Sequence, residues 1–335
     1  MAEAELAVSV VIPTVRQRFL AATLDGLARQ RAAPPFEVLV VENGRRDPGT
    51  EALVAARAAR GAVPMRYHFL ARAGANPARN AGIALARGAI IALTDDDCIV
   101  ADDWIAAIHR AHDAFPTAAC IGGAVDLDFL VAPPPWLVGV FRLMLAGIDW
   151  PREAADGDGP TTDLTRLVDR YLVSANLSFR RAVFARIGGF CEDLVPPDQE
   201  SRNDEALFLD GARALGPPGL LFDRRIRVRH QIPVERTTPD YFERKFRALA
   251  VAVVAYHRRA RLYAGAAPPY PSETEALRNT LLQHEMATGV AERQIVEARA
   301  ILGTDTAARR QFVSHLLRCR IAWLSALQAA IDRGE

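Results

Sequence analysis

The chain has 335 residues, half of them hydrophobic, and 41 basic side chains balance 40 acidic ones. A chain of this length and apolar content buries one large core, or a core with a substantial appendage. The net charge of +1 and the mixed charge pattern give no reason to expect a nucleic-acid partner. Lys245 is the only lysine, so any phosphate contact must come from arginine, backbone N–H groups or a metal.

The four cysteines are widely spaced and match no metal or redox motif, which predicts a reduced, cytoplasmic setting. Glu3 and Glu5 precede the first strand, so the N-terminus is not expected to be a signal peptide. No apolar segment reaches the roughly 18 residues that cross a bilayer. A basic run follows the apolar stretch 248–255, so association with the cytoplasmic face of a membrane stays open.

Strands and helices alternate over the first 126 residues. The β-branched run 8–12 predicts a buried strand, and Leu20, Leu24 and Leu27 recur at helical spacing. Further strands are predicted at 36–41, 65–70, 89–93 and 118–125, and further helices at 50–60, 78–86 and 103–114. This alternation predicts an α/β fold with a mostly parallel sheet flanked by helices.

The remainder of the chain has a different pattern. Residues 127–238 are less regular and rich in proline, as in long loops that cover a substrate site. From residue 239 the pattern is helical, with helices predicted at 239–263, 273–302 and 306–332. We therefore predict a domain over 1–238 and a helical region over 239–335.

The acidic triplet Asp95–Asp97 directly follows the apolar strand at 89–93. Three adjacent carboxylates at the mouth of a buried strand repel one another unless a cation neutralises them. Mg²⁺ and Mn²⁺ prefer such oxygen ligands and commonly hold a phosphate-bearing substrate. The alternative is an acidic helix N-terminus, which explains Asp102 and Asp103 better than the triplet.

The carboxyl ends of the predicted parallel strands bring these groups to one place. Pro13, Glu42 and Asp95 each stand at such an end, and ligands of open α/β sheets bind beyond it. We therefore expect all three along a single edge of the sheet.

Seven motifs follow one another in a defined order. They are Val10-Val11-Ile12-Pro13-Thr14 with Arg16, Val40-Val41-Glu42-Asn43-Gly44 with Asp47, Gly74 with Ala78-Arg79-Asn80-Ala81-Gly82, Asp95-Asp96-Asp97-Cys98, Ser174-Ala175-Asn176-Leu177-Ser178, Arg202-Asn203-Asp204-Glu205, and Val228-Arg229-His230-Gln231. In this order they resemble the family 2 glycosyltransferases with the GT-A fold, over residues 7 to about 240. The resemblance implies a nucleotide-sugar half at 1–126 and an acceptor half at 127–238.

On the donor side, the resemblance implies contacts from Pro13, Thr14, Arg16, Glu42, Asn43, Arg79, Asn80, Asp95 and Asp96. Glu42 stands where the family usually has Asp, as an acceptor for the base N–H. Glu reaches one methylene further, so a UDP-type or a GDP-type donor stays open. Arg79 near a helix N-terminus suits an anion on charge and dipole grounds.

The resemblance also implies a Mg²⁺ or Mn²⁺ ion held by Asp97, with His230 as a further metal or diphosphate contact. Asp95 would contact the nucleotide, and Asp96 stays ambiguous because the metal position could shift by one residue. On the acceptor side the resemblance implies Asn176 and Trp136.

The general base has two candidates, because Arg202-Asn203-Asp204-Glu205 departs from the family's Glu-Asp pair. Aligning Asn203 and Asp204 with the pair makes Asp204 the base, which we favour; aligning one residue later makes Glu205 the base. A capping Asn203 at a helix start is compatible with either.

The implied activity is metal-dependent, inverting transfer of a sugar to a hydroxyl of a sugar, lipid-linked or small-molecule acceptor. A retaining GT-A transferase and a non-catalytic GT-A-like scaffold stay open as alternatives. A nucleotidyltransferase is disfavoured, because residues 13–16 are not a Gly-rich phosphate loop. The helices from residue 239 carry no motif, and core packing, homodimer formation and lipid contact are all open for them.

Overall fold

The computed structural model describes residues 5–15, 18–61, 63–150, 159–167, 170–193, 205–264 and 290–333. Its strands are β1 (Val8–Thr14), β2 (Phe36–Asn43), β3 (Met65–Leu70), β4 (Ile90–Leu93), β5 (Cys98–Val100), β6 (Cys120–Phe129), β7 (Thr161–Asp163), β8 (Leu177–Arg180) and β9 (Leu220–Ile232). Its α-helices are α1 (Leu20–Ala28), α2 (Pro48–Ala58), α3 (Ala75–Leu85), α4 (Trp104–Ala114), α5 (Val140–Leu143), α6 (Arg181–Ile187), α7 (Ala206–Ala214), α8 (Pro239–Ala264), α9 (Val290–Leu302) and α10 (Thr306–Arg333).

The strands and helices predicted for the first 126 residues are all present. The predicted C-terminal helices correspond to α8, α9 and α10, although residues 273–289 of the middle prediction lie outside the described residues. None of the helices within the described ranges combines the length and apolar content needed to cross a bilayer.

The sheet has the strand order β3-β2-β1-β4-β8-β6-β9-β5, with β7 paired to β9. β1 is parallel to β2 and β4, and β2 is parallel to β3, which confirms the predicted parallel arrangement for these four strands. Beyond β4 the sheet is mixed: β8 lies between β4 and β6 and runs antiparallel to both, and β9 runs antiparallel to β5 and β7. Hydrophobic periodicity reports burial and not strand direction, so the sequence pattern did not reveal this mixed half.

Side-chain size determines how closely helix α3 packs on the parallel strands. Gly82 faces β1, where an added Cβ would lie 2.4 Å from Val11 Cγ1 and 3.0 Å from Val41 Cγ2. Only glycine leaves room for this approach. The close packing holds α3 against the sheet with its N-terminus near the carboxyl ends of the strands.

The chain forms two compact units. The first takes the described residues of Met1–Asp128, Ala146–Glu192 and Glu205–Gln231 and contains the sheet. The second takes those of Phe129–Leu145, Asp193–Asp204 and Ile232–Glu335 and contains α5, α8, α9 and α10. The boundary predicted at residue 238 stays a prediction.

His112 is a neutral histidine in the core of the first unit. Its Nε2 lies 3.0 Å from Ser178 Oγ, and that hydroxyl donates to the Ile121 carbonyl at 2.9 Å. Nε2 therefore carries the hydrogen and donates it, while Nδ1 is buried without a partner. Burial lowers the pKa of His112 to about 3.

This buried histidine predicts a pH dependence of stability. The folded-state pKa is about 3 and the ordinary value is 6.5, so below pH 6.5 the unfolded chain binds a proton that the folded chain does not. The contribution is present above pH 6.5 and is lost as the pH falls. Between that value and about pH 5, the free energy of unfolding should fall with a slope approaching 1.4 kcal/mol per pH unit from this group.

Urea denaturation at several pH values measures this slope. His112→Gln should flatten it, whereas Arg110→Gln, a control at an exposed position of the same helix, should keep the wild-type slope. An unchanged slope in His112→Gln would assign the pH dependence to other groups.

Candidate functional site

The carboxyl ends of the parallel strands meet at one edge of the sheet, as expected. Thr14 at the end of β1 lies opposite Glu42 of β2 in the strand register. The acidic segment follows directly after β4, and Thr94 N–H donates to the Val11 carbonyl at 3.4 Å. The structure therefore brings Pro13, Thr14, Glu42 and the acidic triplet together within the first unit.

Asp96 is anchored by hydroxyl groups. Thr14 Oγ1 donates to its carboxylate, and Thr23 Oγ1 of α1 donates to its carbonyl oxygen at 2.9 Å. These bonds fix the middle of the acidic segment to β1 and α1. Sequence reasoning missed Thr23, since a threonine on the buried face of a helix carries no distinguishing pattern.

Asp97 faces His230 across an antiparallel pair of strands. Both side chains are buried, and His230 Nε2 lies 3.3 Å from Asp97 Oδ2. The pairing of β5 with β9 creates this contact, because Cys98 is the register partner of His230. A second tie is the Gln231 N–H, which donates to the Asp97 carbonyl at 2.9 Å.

The thiol next to this pair stays protonated. Cys98 is fully buried in β5, and burial, followed by the charge of Asp97, raises the pKa of its thiol well above the usual range. Its sulfur is therefore neutral at physiological pH and adds no charge to the pair.

Arg79 connects the acidic segment to helix α3. Its Nη2 lies 3.5 Å from Asp95 Oδ1, and its Nη1 donates to Asn76 Oδ1 at 3.0 Å. Asn76 Nδ2 in turn donates to the Cys191 carbonyl at 2.8 Å. Sequence reasoning missed Asn76. Its position one helical turn before Arg79, a candidate anion-binding residue, was a signal that could have identified it.

Asn43 and Asn80 use their amides to hold the backbone in place. Asn43 Nδ2 donates to the Thr14 carbonyl, and its Oδ1 accepts from the N–H of Gly74, the residue that caps α3, both at 2.9 Å. Asn80 Nδ2 donates to the Phe190 carbonyl at 2.9 Å, and its Oδ1 accepts from the Phe190 N–H at 3.0 Å. The two amides thus position the N-terminus of α3 at the sheet edge.

The two glutamates of β2 are stabilised in different ways. Glu37, at the other end of the strand, is buried and accepts from the partly exposed Arg66 at 2.9 Å. Glu42 is also buried, but among the described residues it accepts only from neutral donors, Tyr67 O–H at 2.6 Å and the Asp47 N–H at 3.0 Å. Burial, followed by the hydrogen bond to Glu42, raises the pKa of Tyr67 to about 12, so the phenol keeps its proton. Sequence reasoning missed Tyr67, because tyrosine is common in strands.

The two residues expected on the acceptor side lie in cores. Asn176 Oδ1 accepts from Trp104 Nε1, and its Nδ2 donates to the Ala124 and Ile226 carbonyls, each at 2.9 Å. Trp136 is 4 % exposed in the second unit, with its ring packed edge-on against aromatic neighbours. Both side chains are therefore buried and use their hydrogen-bonding and packing capacity internally, and their assignment to the acceptor side stays a prediction.

Two expected site residues, Arg16 and Asp204, lie outside the described residues. Glu205 is described and stands at the N-cap of α7, partly exposed.

The donor atoms at Asp97 and His230 fit a divalent cation. A carboxylate oxygen and an imidazole nitrogen already approach each other, and both groups are buried at the ligand edge. Within the described ranges, no group of three or more His, Cys, Asp or Glu side chains has metal-binding geometry. Two protein ligands suit a Mg²⁺- or Mn²⁺-type ion whose other positions are filled by water and substrate phosphates.

An α/β sheet that presents carboxylates, an arginine and a helix N-terminus at one edge defines a class of domain that binds phosphorylated ligands. Residues 9–142 match the model of the family described as glycosyl transferase family 2. Over this segment the match confirms the resemblance carried by the motifs.

Two relatives are glycosyltransferases by name. A glucosyl-dolichyl phosphate glucuronosyltransferase of Haloferax volcanii is 25% identical over 169 residues, 50% of this chain and 51% of that protein. A validoxylamine A glucosyltransferase of Streptomyces hygroscopicus subsp. limoneus is 29% identical over 203 residues, 56% of this chain and 44% of that protein. The matches thus span about half the length of these relatives.

Solved structures share the GT-A fold over nearly the whole chain. The mannosyltransferase PcManGT from Pyrobaculum calidifontis, in complex with GDP-Man and Mn²⁺, has a TM-score of 0.54 at 19% identity, covering 96% of this chain and 90% of that one. S. aureus TarS 1-349 in complex with UDP-GlcNAc has a TM-score of 0.52 at 15% identity, covering 98% and 91%. The predicted fold class is confirmed.

The buried amide of Asn176 predicts a structural and not a substrate-binding phenotype. Asn176→Ala removes the partner of Trp104 Nε1 and of two carbonyls in the core. We expect the free energy of unfolding to fall by about 3 kcal/mol, measured by urea denaturation. Gln311→Ala, an exposed amide on α10, should change it by less than about 0.5 kcal/mol. Equal stabilities of the two variants would contradict the structural role.

Proposed function

We propose that this chain transfers a hexosyl group from a nucleotide-diphosphate sugar to an acceptor hydroxyl, with inversion at the anomeric carbon. The observation that carries this proposal is the meeting of two pairs at one sheet edge, Asp97 with His230 and Arg79 with Asp95. A cation site and a buried arginine side by side match the charge of a diphosphate.

On the donor side, Arg79 and the N-terminus of α3 would face the diphosphate, and Asp95 would contact the nucleotide. Arg79 is buried and held by Asn76, so its guanidinium is oriented before the ligand arrives. Two structural neighbours in complex with GDP-Man and with UDP-GlcNAc support a nucleotide-diphosphate sugar and leave both base types open.

Glu42 would accept from the base N–H. Its carboxylate is buried, has no counter-ion within the described ranges, and is oriented by Tyr67 and the Asp47 N–H. These two hydrogen bonds leave lone pairs on the carboxylate for a further N–H.

The cation site would be formed by Asp97 and His230, for Mg²⁺ or Mn²⁺. A bound divalent cation supplies positive charge where negative charge develops on the departing diphosphate. The hydrogen bond from Gln231 N–H to the Asp97 backbone holds that carboxylate in place. A Mn²⁺-containing neighbour supports the use of a divalent cation.

We assign the general base to Asp204, with Glu205 as the alternative one residue later. The acceptor hydroxyl would give its proton to the Asp204 carboxylate as its oxygen bonds to the anomeric carbon. The bond from that carbon to the diphosphate oxygen breaks on the opposite face, and the diphosphate leaves with the electron pair. This single displacement needs no covalent intermediate on the protein.

The names of the two relatives support an acceptor that is either lipid-linked or a small molecule. One name specifies glucosyl-dolichyl phosphate and the other validoxylamine A, and both describe the transfer of a hexose-type sugar. We propose an acceptor hydroxyl on a sugar, a lipid-linked acceptor or a small molecule.

The cation site predicts metal-dependent nucleotide binding. Adding UDP, GDP or their sugars with Mn²⁺ should raise the thermal midpoint of the wild type more than either component alone. Asp97→Asn and His230→Gln should lose this additional shift, because each removes one cation ligand. Asp103→Asn is the matched control, since this aspartate is exposed and pairs with Arg110 at 3.6 Å.

Equal metal-dependent shifts in Asp97→Asn, His230→Gln and wild type would exclude these two residues as the cation ligands. Shifts of the same size without Mn²⁺ would argue for metal-independent binding through Arg79.

The base assignment predicts a loss of rate without a loss of binding. Asp204→Asn should lower kcat by about 10²- to 10⁴-fold, while the nucleotide- and Mn²⁺-dependent thermal shift stays as in the wild type. Glu205→Gln serves as the matched control and should keep a rate within about tenfold of the wild type.

The reverse result, with Glu205→Gln inactive and Asp204→Asn active, would move the base to Glu205. A product with the anomeric configuration of the donor, determined by NMR, would replace inversion with retention. A wild type that binds nucleotide sugars and neither transfers nor hydrolyses them would identify a non-catalytic scaffold.

A further inference from the structure

Exposed apolar side chains are concentrated in the second unit. Of the nine large hydrophobic side chains exposed within the described ranges, eight belong to this unit and only Val15 to the first. Three of the eight form a line on helix α10, namely Leu317, Ile321 and Leu324. This grouping separates them from the single exposed hydrophobic residues of any protein surface.

Helix α10 is apolar on two sides. One side packs into the unit through Phe312, Leu316 and Leu327, which are buried. The other side carries Leu317, Ile321 and Leu324, which are 50%, 66% and 40% exposed. These three positions, spaced by four and three residues, form one stripe about 10 Å long. We call it the apolar stripe.

Arginines surround the apolar stripe. Arg318 and Arg320 lie on its two flanks by helical geometry, and Arg310 lies on the line of the stripe two turns earlier. Arg318 is tied to α8 through Glu243 at 2.9 Å, and the Arg320 guanidinium lies 4.9 Å from the Trp323 ring. Such long side chains can place their charges beside the stripe while their stems cover apolar surface.

The charge of this helix differs from that of the whole chain. Over the full sequence the charges nearly cancel, at 41 basic and 40 acidic residues. Helix α10 has five arginines and one acid, Asp332, close to its end. A positively charged helix with an exposed aliphatic stripe is complementary to a surface whose outermost groups are negatively charged and whose deeper groups are apolar.

We propose that helix α10 binds the surface of an anionic phospholipid membrane. The apolar stripe enters the boundary between headgroups and acyl chains, and Arg310 and Arg320 contact lipid phosphates, whereas Arg318 stays paired with Glu243 and Asp240 of α8. Burial of aliphatic area and attraction to anionic headgroups are the two contributions that hold interfacial helices. The proposal goes beyond sugar transfer and does not depend on it.

A second copy of the chain fits this surface less well. Two-fold packing of the apolar stripe on itself would bring the flanking arginines of two copies together, and like charges repel. Three side chains also supply far less than the roughly 800 Å² per partner of a stable interface. Lipid phosphates neutralise the arginines, and acyl chains can cover a small stripe.

Vesicle flotation of the full chain, without nucleotide, tests the proposal. Wild type should bind vesicles of phosphatidylcholine with about one third phosphatidylglycerol, bind pure phosphatidylcholine far less, and dissociate as salt is raised. Leu317→Gln/Ile321→Gln should lower the partition coefficient on anionic vesicles at least about tenfold. Arg310→Gln should lower it about fivefold, since it keeps the stripe and removes one charge.

Val131→Gln is the matched control, because Val131 is an aliphatic side chain of the same unit with 56% exposure and lies outside α10. Its partition coefficient should stay within about twofold of the wild type. All variants change exposed side chains, and their thermal midpoints verify folding.

Several outcomes would overturn the proposal. They are equal binding to both vesicle types, no binding to either, and unchanged binding of Leu317→Gln/Ile321→Gln. A lipid-free dimer that this double variant converts to a monomer, without vesicle binding, would assign the stripe to self-association. None of these outcomes bears on nucleotide binding, so failure here is distinguishable from failure of the proposed function.

Discussion

The acidic triplet after β4 is the constraint on which the arrangement of the first unit depends. Three adjacent carboxylates cannot share one environment without strong mutual repulsion, and the fold gives each its own partner. Asp95 meets Arg79 from α3, Asp96 meets the Thr14 hydroxyl from β1, and Asp97 meets His230 from β9. Each partner comes from a different element, so satisfying the triplet also joins the parallel strands, the helix beside them and the antiparallel strands.

The mixed half of the sheet makes the last of these contacts. β9 passes along β5, and this pairing places His230 beside Asp97, although more than a hundred residues separate them in sequence. The buried amide of Asn176 ties Trp104 of α4, the Ala124 carbonyl of β6 and the Ile226 carbonyl of β9. The position of the histidine therefore rests on long-range hydrogen bonds in the core as much as on its own strand. This half of the sheet therefore places a histidine beside the acidic segment and forms the pair that we propose as cation ligands.

Local patterns predicted the elements, and topology predicted where the site residues gather. The β-branched run at β1 and the leucine spacing of α1 are signals of burial, and both elements form as expected. The insertion of β8 between β4 and β6 was not predictable, because burial patterns carry no information on strand order. The sequence also did not reveal the hydrogen-bond partners of side chains. Asn43 and Asn176 are of a residue type common at ligand-binding positions, yet their amides bond to distant backbone groups. Tyr67 showed the converse, because an ordinary strand residue supports the buried carboxylate of Glu42.

The absence of one carbon atom at Gly82 has a consequence for how this domain can diverge. Helix α3 lies closer to β1 than any side chain at that position would permit. The distance between α3 and the sheet determines where Gly74 and Arg79 lie relative to the sheet edge. Gly82 itself is buried beneath these two residues. A methyl group there would push the whole helix away from the sheet. Each polar side chain of the site would remain chemically unchanged. A descendant with a larger residue at this position could therefore lose affinity for an anion because α3 is displaced, although all of its sequence motifs are retained.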